Sequence, residues 1–162
     1  MLKTEKTVSK GRLARTSNKG FMAKVNRREA REILVGLLFE TEFRPDEDVN
    51  GIYALACEDR EIPENDYIKR GYFGIHDNLS EIDEMIGKHS NGWKTHRLTK
   101  LSRSVLRLCV YEMLYEKEIP YSVSINEAVE LSKKFDDDKA RPFINGILNS
   151  VKNELDGNGK TE

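Results

Sequence analysis

Apolar residues recur at helical spacing in the segment that follows residue 26. Steps of three and four place them on one face of a predicted first helix, at Ala30, Ile33, Leu34, Leu37 and Leu38. Asn26 is a suitable N-cap for this helix, and Glu29 stands three residues later, at the reciprocal position of a capping box. Pro45 closes the segment, so the pattern predicts a helix that begins near residue 26 and ends before residue 45.

Two further helices are predicted before residue 92. A short second helix covers residues 49–60, and Pro63 separates it from the third. The third is predicted as one long helix from residue 65, with apolar positions at Ile68, Tyr72, Ile75, Leu79, Ile82 and Ile86. Gly71 and Gly74 interrupt this pattern, at a cost of about 1 kcal/mol each relative to alanine. Close approach of another helix would explain them, and so would a kink.

The last third of the chain predicts three more helices. The fourth, from Leu101 to about Lys117, is apolar almost all round, which is typical of a central, buried helix. The motif SINE at residues 124–127 predicts a capping box that starts the fifth helix, and Pro142 fits the first turn of the sixth. Because no run of strand periodicity exceeds a few residues, the sequence predicts an all-α fold, followed by a frayed tail over residues 157–162.

The charge is divided unequally along the chain. Residues 1–31 hold ten Lys and Arg against two Glu, whereas the remainder holds seventeen basic against twenty-six acidic residues. Residues 1–24 show no apolar periodicity and are interpreted as a flexible basic arm on an acidic body. The arm fits an RNA-binding segment, a solvated tail or an organellar transit peptide. A misassigned start before Met22 would explain it equally well.

Three arginines crowd the start of the first predicted helix. Arg27 and Arg31 are four residues apart and share one face, with Arg28 beside them. A positive charge at a helix N-terminus opposes the macrodipole, at about 0.3–1 kcal/mol each. The arrangement therefore indicates that an anion completes the site. The alternative is a solvated face whose arginines have local partners such as Glu32.

Composition and motifs disfavour several classes of function. The longest apolar stretch, residues 33–39, is far shorter than the about 20 residues of a membrane-spanning helix. Cys57 and Cys109 form no CxxC pair, which indicates reduced cysteines and a cytoplasmic protein. No two histidines stand at metal-binding helical spacing, and no phosphate loop or nucleophile motif is present. The sequence therefore predicts a binding protein without catalytic residues, cofactor or metal.

Four segments together resemble the NusB family of bacterial transcription antitermination factors. They are RREARE leading to LLF at 27–39, LSRSVLRLCVYEML at 101–114, PYSVSINEAVEL at 120–131 and FINGIL at 143–148. The resemblance covers about residues 25–155 and is densest from Trp93 onward. Across residues 43–92 it rests on helical periodicity and a tyrosine-containing third helix.

The resemblance implies an all-helical fold of six to seven helices in two small subdomains, at about residues 25–92 and 93–156. It also implies that the protein binds single-stranded boxA RNA together with the ribosomal protein NusE. This assembly would join an antitermination complex on RNA polymerase and act at ribosomal RNA operons. The family also allows a helical homodimer. Carried over by position, the resemblance implies five RNA-binding residues, which are Arg27, Arg28, Arg31, Arg107 and Phe143.

The chain departs from the family pattern at several positions. Glu29 stands where the run of arginines usually continues, Ser102 replaces a common acidic residue, and Arg141-Pro142 precede Phe143 in place of lysine. Phe143 also heads an apolar stripe and fits the core equally well. Two other functions stay open at this point. One is a NusB-like protein–protein scaffold without RNA binding, and the other is an RNA-methyltransferase-associated module, although no Rossmann-type glycine motif is present.

Overall fold

The protein is described by a computed structural model over residues 24–90, 98–135 and 138–159. Within these residues it contains seven α-helices and no strand, which confirms the predicted all-α fold. The helices are α1 Arg27–Glu42, α2 Val49–Asp59, α3 Asp66–Asp77, α4 Leu79–Lys88, α5 Lys100–Tyr115, α6 Tyr121–Phe135 and α7 Ala140–Gly159. No helix in this part of the chain combines the length and the apolar character needed to cross a membrane.

Helix α5 forms the centre of the molecule, as its sequence predicts. It packs against three helices that precede it in the chain, α1, α3 and α4, and against the two that follow it, α6 and α7. Leu106, Leu108 and Val110 are fully or almost fully buried, and so are the polar residues Ser104 and Glu112. Because α5 contacts helices from both halves of the chain, one apolar core runs through the fold.

The start of α1 follows the predicted capping pattern with one difference. The Asn26 side chain accepts a hydrogen bond from the Glu29 backbone N–H (2.8 Å) and donates one to the Glu29 carboxylate (2.7 Å). In a capping box the glutamate carboxylate accepts from the backbone N–H of the cap residue, whereas here it accepts from the side-chain amide of Asn26. This arrangement fixes the first turn of α1, where Arg27 and Arg28 lie.

The prediction of one long third helix is wrong, because this segment forms two helices, α3 and α4, that meet at Asn78. The Asn78 backbone N–H (3.1 Å) and side-chain amide (2.8 Å) both donate to the Gly74 carbonyl, which ends α3. Close packing explains Gly71 and Gly74, and it is one of the two explanations given above. A Cβ at Gly71 would lie 2.5 Å from a Leu34 methyl group, and one at Gly74 would lie 2.7 Å from the Tyr111 ring. These glycines let α3 approach α1 and α5.

Two other helix boundaries differ from prediction. Helix α6 begins at Tyr121, directly after Pro120, and not at Ser124, which is buried in the second turn. The Pro120 carbonyl accepts the first backbone bond, from Val123, at 3.0 Å. Helix α7 continues to Gly159, beyond the predicted end of order at residue 156. Three parts of the chain lie outside the described residues: residues 1–23 of the predicted arm, the predicted subdomain boundary near residue 92, and residues 160–162.

Candidate nucleic-acid interface

The first turn of α1 presents two arginines to solvent. Arg27 and Arg28 are both exposed, immediately after the N-cap Asn26. The Arg27 guanidinium carbon lies 4.3 Å from the centroid of the Tyr67 ring, which holds it in a cation–π contact. Two guanidinium groups at a helix N-terminus can donate hydrogen bonds to an anion, and phosphate oxygens fit this geometry well.

Arg28 is exposed and also has a carboxylate partner. Its Nε and Nη2 donate to the two oxygens of Glu127 on α6, at 3.1 and 2.9 Å. The Arg28 side chain is 62% exposed, and that of Glu127 is 16% exposed. The hydrogen bond and the negative charge of Glu127 raise the pKa of Arg28 above its ordinary value. A second ion pair joins the same two helices, between Lys134 and Glu32 at 2.7 Å.

Arg31 lies inside the protein and not on the predicted exposed face. Its side chain is 5% exposed, and its Nε and Nη2 donate to Glu112 of α5 at 2.7 and 3.1 Å. Ser124 (2.7 Å) and the Tyr67 hydroxyl also donate to Glu112. The prediction that Arg31 meets RNA is therefore corrected, because its guanidinium serves a buried carboxylate. These four residues, Arg31, Tyr67, Glu112 and Ser124, are called the Glu112 cluster below.

The Tyr67 hydroxyl joins the inner and outer parts of this region. Burial, followed by the charge of Glu112 and the hydrogen bond to it, raises the pKa of Tyr67 above its ordinary value. The hydroxyl is therefore protonated and donates to Glu112, while the ring supports Arg27. One tyrosine thus connects the exposed first turn of α1 to the Glu112 cluster. The sequence reasoning missed Tyr67, although a tyrosine directly behind the Asn65–Asp66 helix start was a signal that could have been weighed.

Arg107 also has a structural role, in ion pairs that connect helices. It donates to Asp83 on α4 (2.8 and 2.7 Å) and to Glu42 on α1 (2.7 Å), and its side chain is 14% exposed. Arg103, one turn earlier, also binds Glu42, at 2.6 and 2.7 Å. The ion pairs join three helices, and the guanidinium of Arg107 is occupied by two carboxylates. A contact of Arg107 with RNA stays a prediction.

Phe143 lies on α7 with its side chain half-buried against the core. This placement agrees in part with both predicted roles, since a half-buried ring packs on one face and leaves part of its surface accessible. Arg141 precedes it and pairs with Asp138 at 3.0 Å. A stacking role for Phe143 stays a prediction.

A groove lies between the N-termini of α1 and α3, beside Arg27. Its lining includes Asn65, Tyr67 and Arg70. Arg70 binds Glu116 through two hydrogen bonds of 2.8 Å and keeps 49% of its side chain exposed. Sequence reasoning did not single out Arg70. Its position one turn after the Asn65 cap, facing the arginine-rich start of α1, depends on the contact between α1 and α3.

The described part of the chain offers no cluster of metal ligands, and one of its two cysteines is deeply buried. No group of three His, Cys, Asp or Glu side chains there could hold a metal ion. Cys109 is fully buried, and burial raises the pKa of its thiol well above the ordinary value, so the reactive thiolate is disfavoured.

Comparison with known proteins decides the family. The family model described as "NusB family" matches residues 28–153. The chain belongs to the NusB family. A relative from Ruminiclostridium cellulolyticum is 42% identical over 132 residues, which covers 78% of this chain and 88% of the relative. Another, from Bacillus pumilus, is 39% identical over 131 residues and covers 81% and 98%. Both are named transcription antitermination protein NusB.

Solved structures agree with this assignment. NusB of T. maritima is 36% identical and superposes with a TM-score of 0.73, covering 81% of this chain and 93% of that one. A structure described as the antitermination factors NusB and NusE in complex with dsRNA is 29% identical, with a TM-score of 0.69 and coverage of 77% and 94%. The protein is therefore a transcription antitermination factor with a NusB-like fold and not an enzyme.

Proposed function

We propose that this NusB-family protein binds single-stranded boxA-type RNA together with ribosomal protein NusE. The assembly promotes antitermination at ribosomal RNA operons as part of a complex on RNA polymerase, in the cytoplasm. Arg27 and Arg28 bind the RNA backbone, and Phe143 stacks against an unpaired base. The observation that carries the proposal is the pair of exposed guanidinium groups in the first turn of α1.

Electrostatics support an anionic ligand at this turn. The N–H groups of a helix N-terminus and its macrodipole favour an anion, and two guanidinium groups at the same turn add donors for a phosphate. The cation–π contact with Tyr67 holds the Arg27 guanidinium carbon 4.3 Å from the ring centroid. A fixed, planar donor group binds a phosphate or stacks on a base with less loss of side-chain freedom than a mobile one.

The partner assignment rests on a family neighbour and on charge. The related structure that contains NusB also contains NusE and RNA. Beyond residue 31 this chain carries nine more acidic than basic residues, which favours association with a basic ribosomal protein by electrostatic steering. Because the RNA in that neighbour is double-stranded, strandedness has to be tested directly for this protein.

The test is a fluorescence-anisotropy titration at physiological salt. Labelled boxA-type RNA is compared with a scrambled sequence and with a duplex of the boxA-type sequence, each with and without purified NusE. We expect boxA-type single strands to bind most tightly, and more tightly still when NusE is present. Binding that ignores sequence, strandedness and partner would contradict the proposal.

The basic arm gives a second, independent test. If residues 1–21 bind RNA, their removal weakens RNA affinity because Lys and Arg contacts to phosphates are lost. The fold should be retained, because α1 begins only at Arg27. Far-UV circular dichroism checks the fold, and the same RNA titration checks affinity. Equal affinity with and without residues 1–21 would assign no RNA contact to the arm.

A protein–protein scaffold without RNA binding is the second candidate. The observation that favours it is the pairing of Arg28, Arg31 and Arg107 with carboxylates of the same chain. If this function is correct, NusE binds while replacement of Arg27 and Arg28 leaves the assembly and its activity unchanged. The RNA titration separates the two candidates.

A further inference from the structure

Among the ion-paired arginines that the structure describes, Arg28 is the most exposed, and its carboxylate partner is the less exposed side chain of the pair. Arg28 projects from the first turn of α1, and Glu127 meets it from the second turn of α6. The contact is bidentate, since Nε and Nη2 of the arginine each bind a separate oxygen of the glutamate. Glu127 keeps only 16% of its side chain exposed, whereas Arg28 keeps 62%. The arginine is therefore the side chain with room to move.

The edge of Arg28 that Glu127 occupies is an edge that also fits a phosphate. Two parallel N–H donors of a guanidinium match the two oxygens of a carboxylate or of a phosphate in the same way. We propose that Glu127 sets the RNA affinity of this surface by occupying the Arg28 donor pair in place of an RNA phosphate. The inference rests on the proposed RNA-binding function. When RNA binds, Arg28 then gives up the Glu127 carboxylate and takes an RNA phosphate in its place.

The surroundings of Glu127 make this exchange feasible. When Arg28 turns to a phosphate, Glu127 still lies within the electrostatic influence of Arg31, which the neighbouring turn of α1 carries. The carboxylate is therefore not left as an isolated charge, which would be costly for a largely buried group. Glu32 and Lys134 form a second ion pair between the same helices, so α1 and α6 stay connected during the exchange.

The proposal makes a specific energetic demand. An ion pair that solvent screens on one side changes an equilibrium constant only modestly, by about one-and-a-half- to fivefold. Removing the competing charge should therefore tighten RNA binding by a factor in this range. The gain must depend on Arg28, because Glu127 acts through that side chain.

The test is a double-mutant cycle measured with a labelled boxA-type RNA. Wild type, Glu127→Gln, Arg28→Gln and the double variant are titrated by fluorescence anisotropy at the same salt concentration. Glu130→Gln is the matched control, because Glu130 is exposed on the same helix and its charge also acts on Arg28, more weakly than that of Glu127. Glu127→Ala serves as a second variant, and thermal melting checks that each protein is folded.

We expect Glu127→Gln to bind RNA about one-and-a-half- to fivefold more tightly than wild type. In the Arg28→Gln background the same change should have an effect no larger than that of Glu130→Gln. If wild type binds RNA and Glu127→Gln binds it equally well or more weakly, the inference is overturned and the proposed function stands. A gain of equal size with and without Arg28 would also overturn it. Absence of RNA binding by both wild type and Glu127→Gln would overturn the proposed function and this inference together.

Discussion

Arg28 and Arg31 are three residues apart on α1 and bind glutamates in the same way, yet they belong to two different regions. Each donates from Nε and Nη2 to both oxygens of one carboxylate, Glu127 for Arg28 and Glu112 for Arg31. The first pair lies at the surface and the second is almost completely buried. The outer pair can exchange its partner with a ligand, whereas the inner pair cannot open without exposing a buried charge.

The difference teaches that residue type and spacing do not settle the function of an arginine. Water screens the outer pair, so its loss changes stability little and leaves the donor groups available. Desolvation makes the inner pair depend on complete hydrogen bonding, which Tyr67 and Ser124 supply around Glu112. The boundary between binding surface and core therefore runs through the first two turns of α1.

The largest effect is expected from breaking the inner pair. Arg31→Met leaves Glu112 without its cationic partner and should reduce the free energy of unfolding by about 3–5 kcal/mol. Arg28→Met, the matched exposed control, should leave the free energy of unfolding nearly unchanged. Urea denaturation followed by circular dichroism measures both. Similar stabilities for the two variants would remove the distinction between the regions.

The central position of α5 predicts the next effect. Leu108→Ala opens a cavity where α5 is enclosed by other helices and should cost about 2–5 kcal/mol of unfolding free energy. Leu55→Ala, the same change at an exposed position on α2, is the control and should cost far less. Urea denaturation again measures the two. A loss below about 1 kcal/mol for Leu108→Ala would contradict a central, tightly packed α5.

A smaller effect is expected from the pH dependence of the ion pairs that Glu42 forms with Arg103 and Arg107. Burial alone raises the pKa of Glu42, but the hydrogen bond from Arg103 and the charge of Arg107 outweigh it and lower that pKa below its ordinary value of 4.5. A carboxylate with a depressed pKa in the folded state stabilises the fold above its unfolded pKa, and this contribution is lost as pH falls through the folded pKa.

We therefore expect the stability of the wild type to decline below about pH 4.5. Glu42→Gln, which cannot ionise, should decline less steeply over the same range. Denaturant unfolding in steps from pH 7 to about pH 3 measures the two slopes. If the unfolding free energies of wild type and Glu42→Gln fall equally steeply as the pH is lowered, Glu42 does not contribute to the pH dependence.

Local signals were sufficient to predict much of the fold. Asn26 starts α1, the apolar periodicity of α5 marks the central helix, and Gly71 and Gly74 lie at close helix contacts. The break at Asn78 was missed because hydrophobic spacing continues across it, while the side chain of Asn78 takes the carbonyl that would continue the helix.

The site was harder to predict, because it depends on distant partners. Arg31 is separated by 81 residues from Glu112, and Arg107 by 65 from Glu42. Spacing alone showed that Arg31 shares a helix face with Arg27, but only the packing of α1 on α5 turns it inward. Arg27 and Arg28 differ because they precede the first buried residue of α1, Ala30.

The most direct test of the central claim is the salt dependence of boxA-type RNA binding by wild type and by the double variant Arg27→Gln/Arg28→Gln. Each arginine that neutralises a phosphate of a single strand contributes about 0.7 to the slope of log K against log salt. We predict that the variant folds normally and shows a slope shallower by about 1.4. An unchanged slope in a folded variant would place the RNA elsewhere and contradict the assignment of the first turn of α1 as the RNA-binding surface.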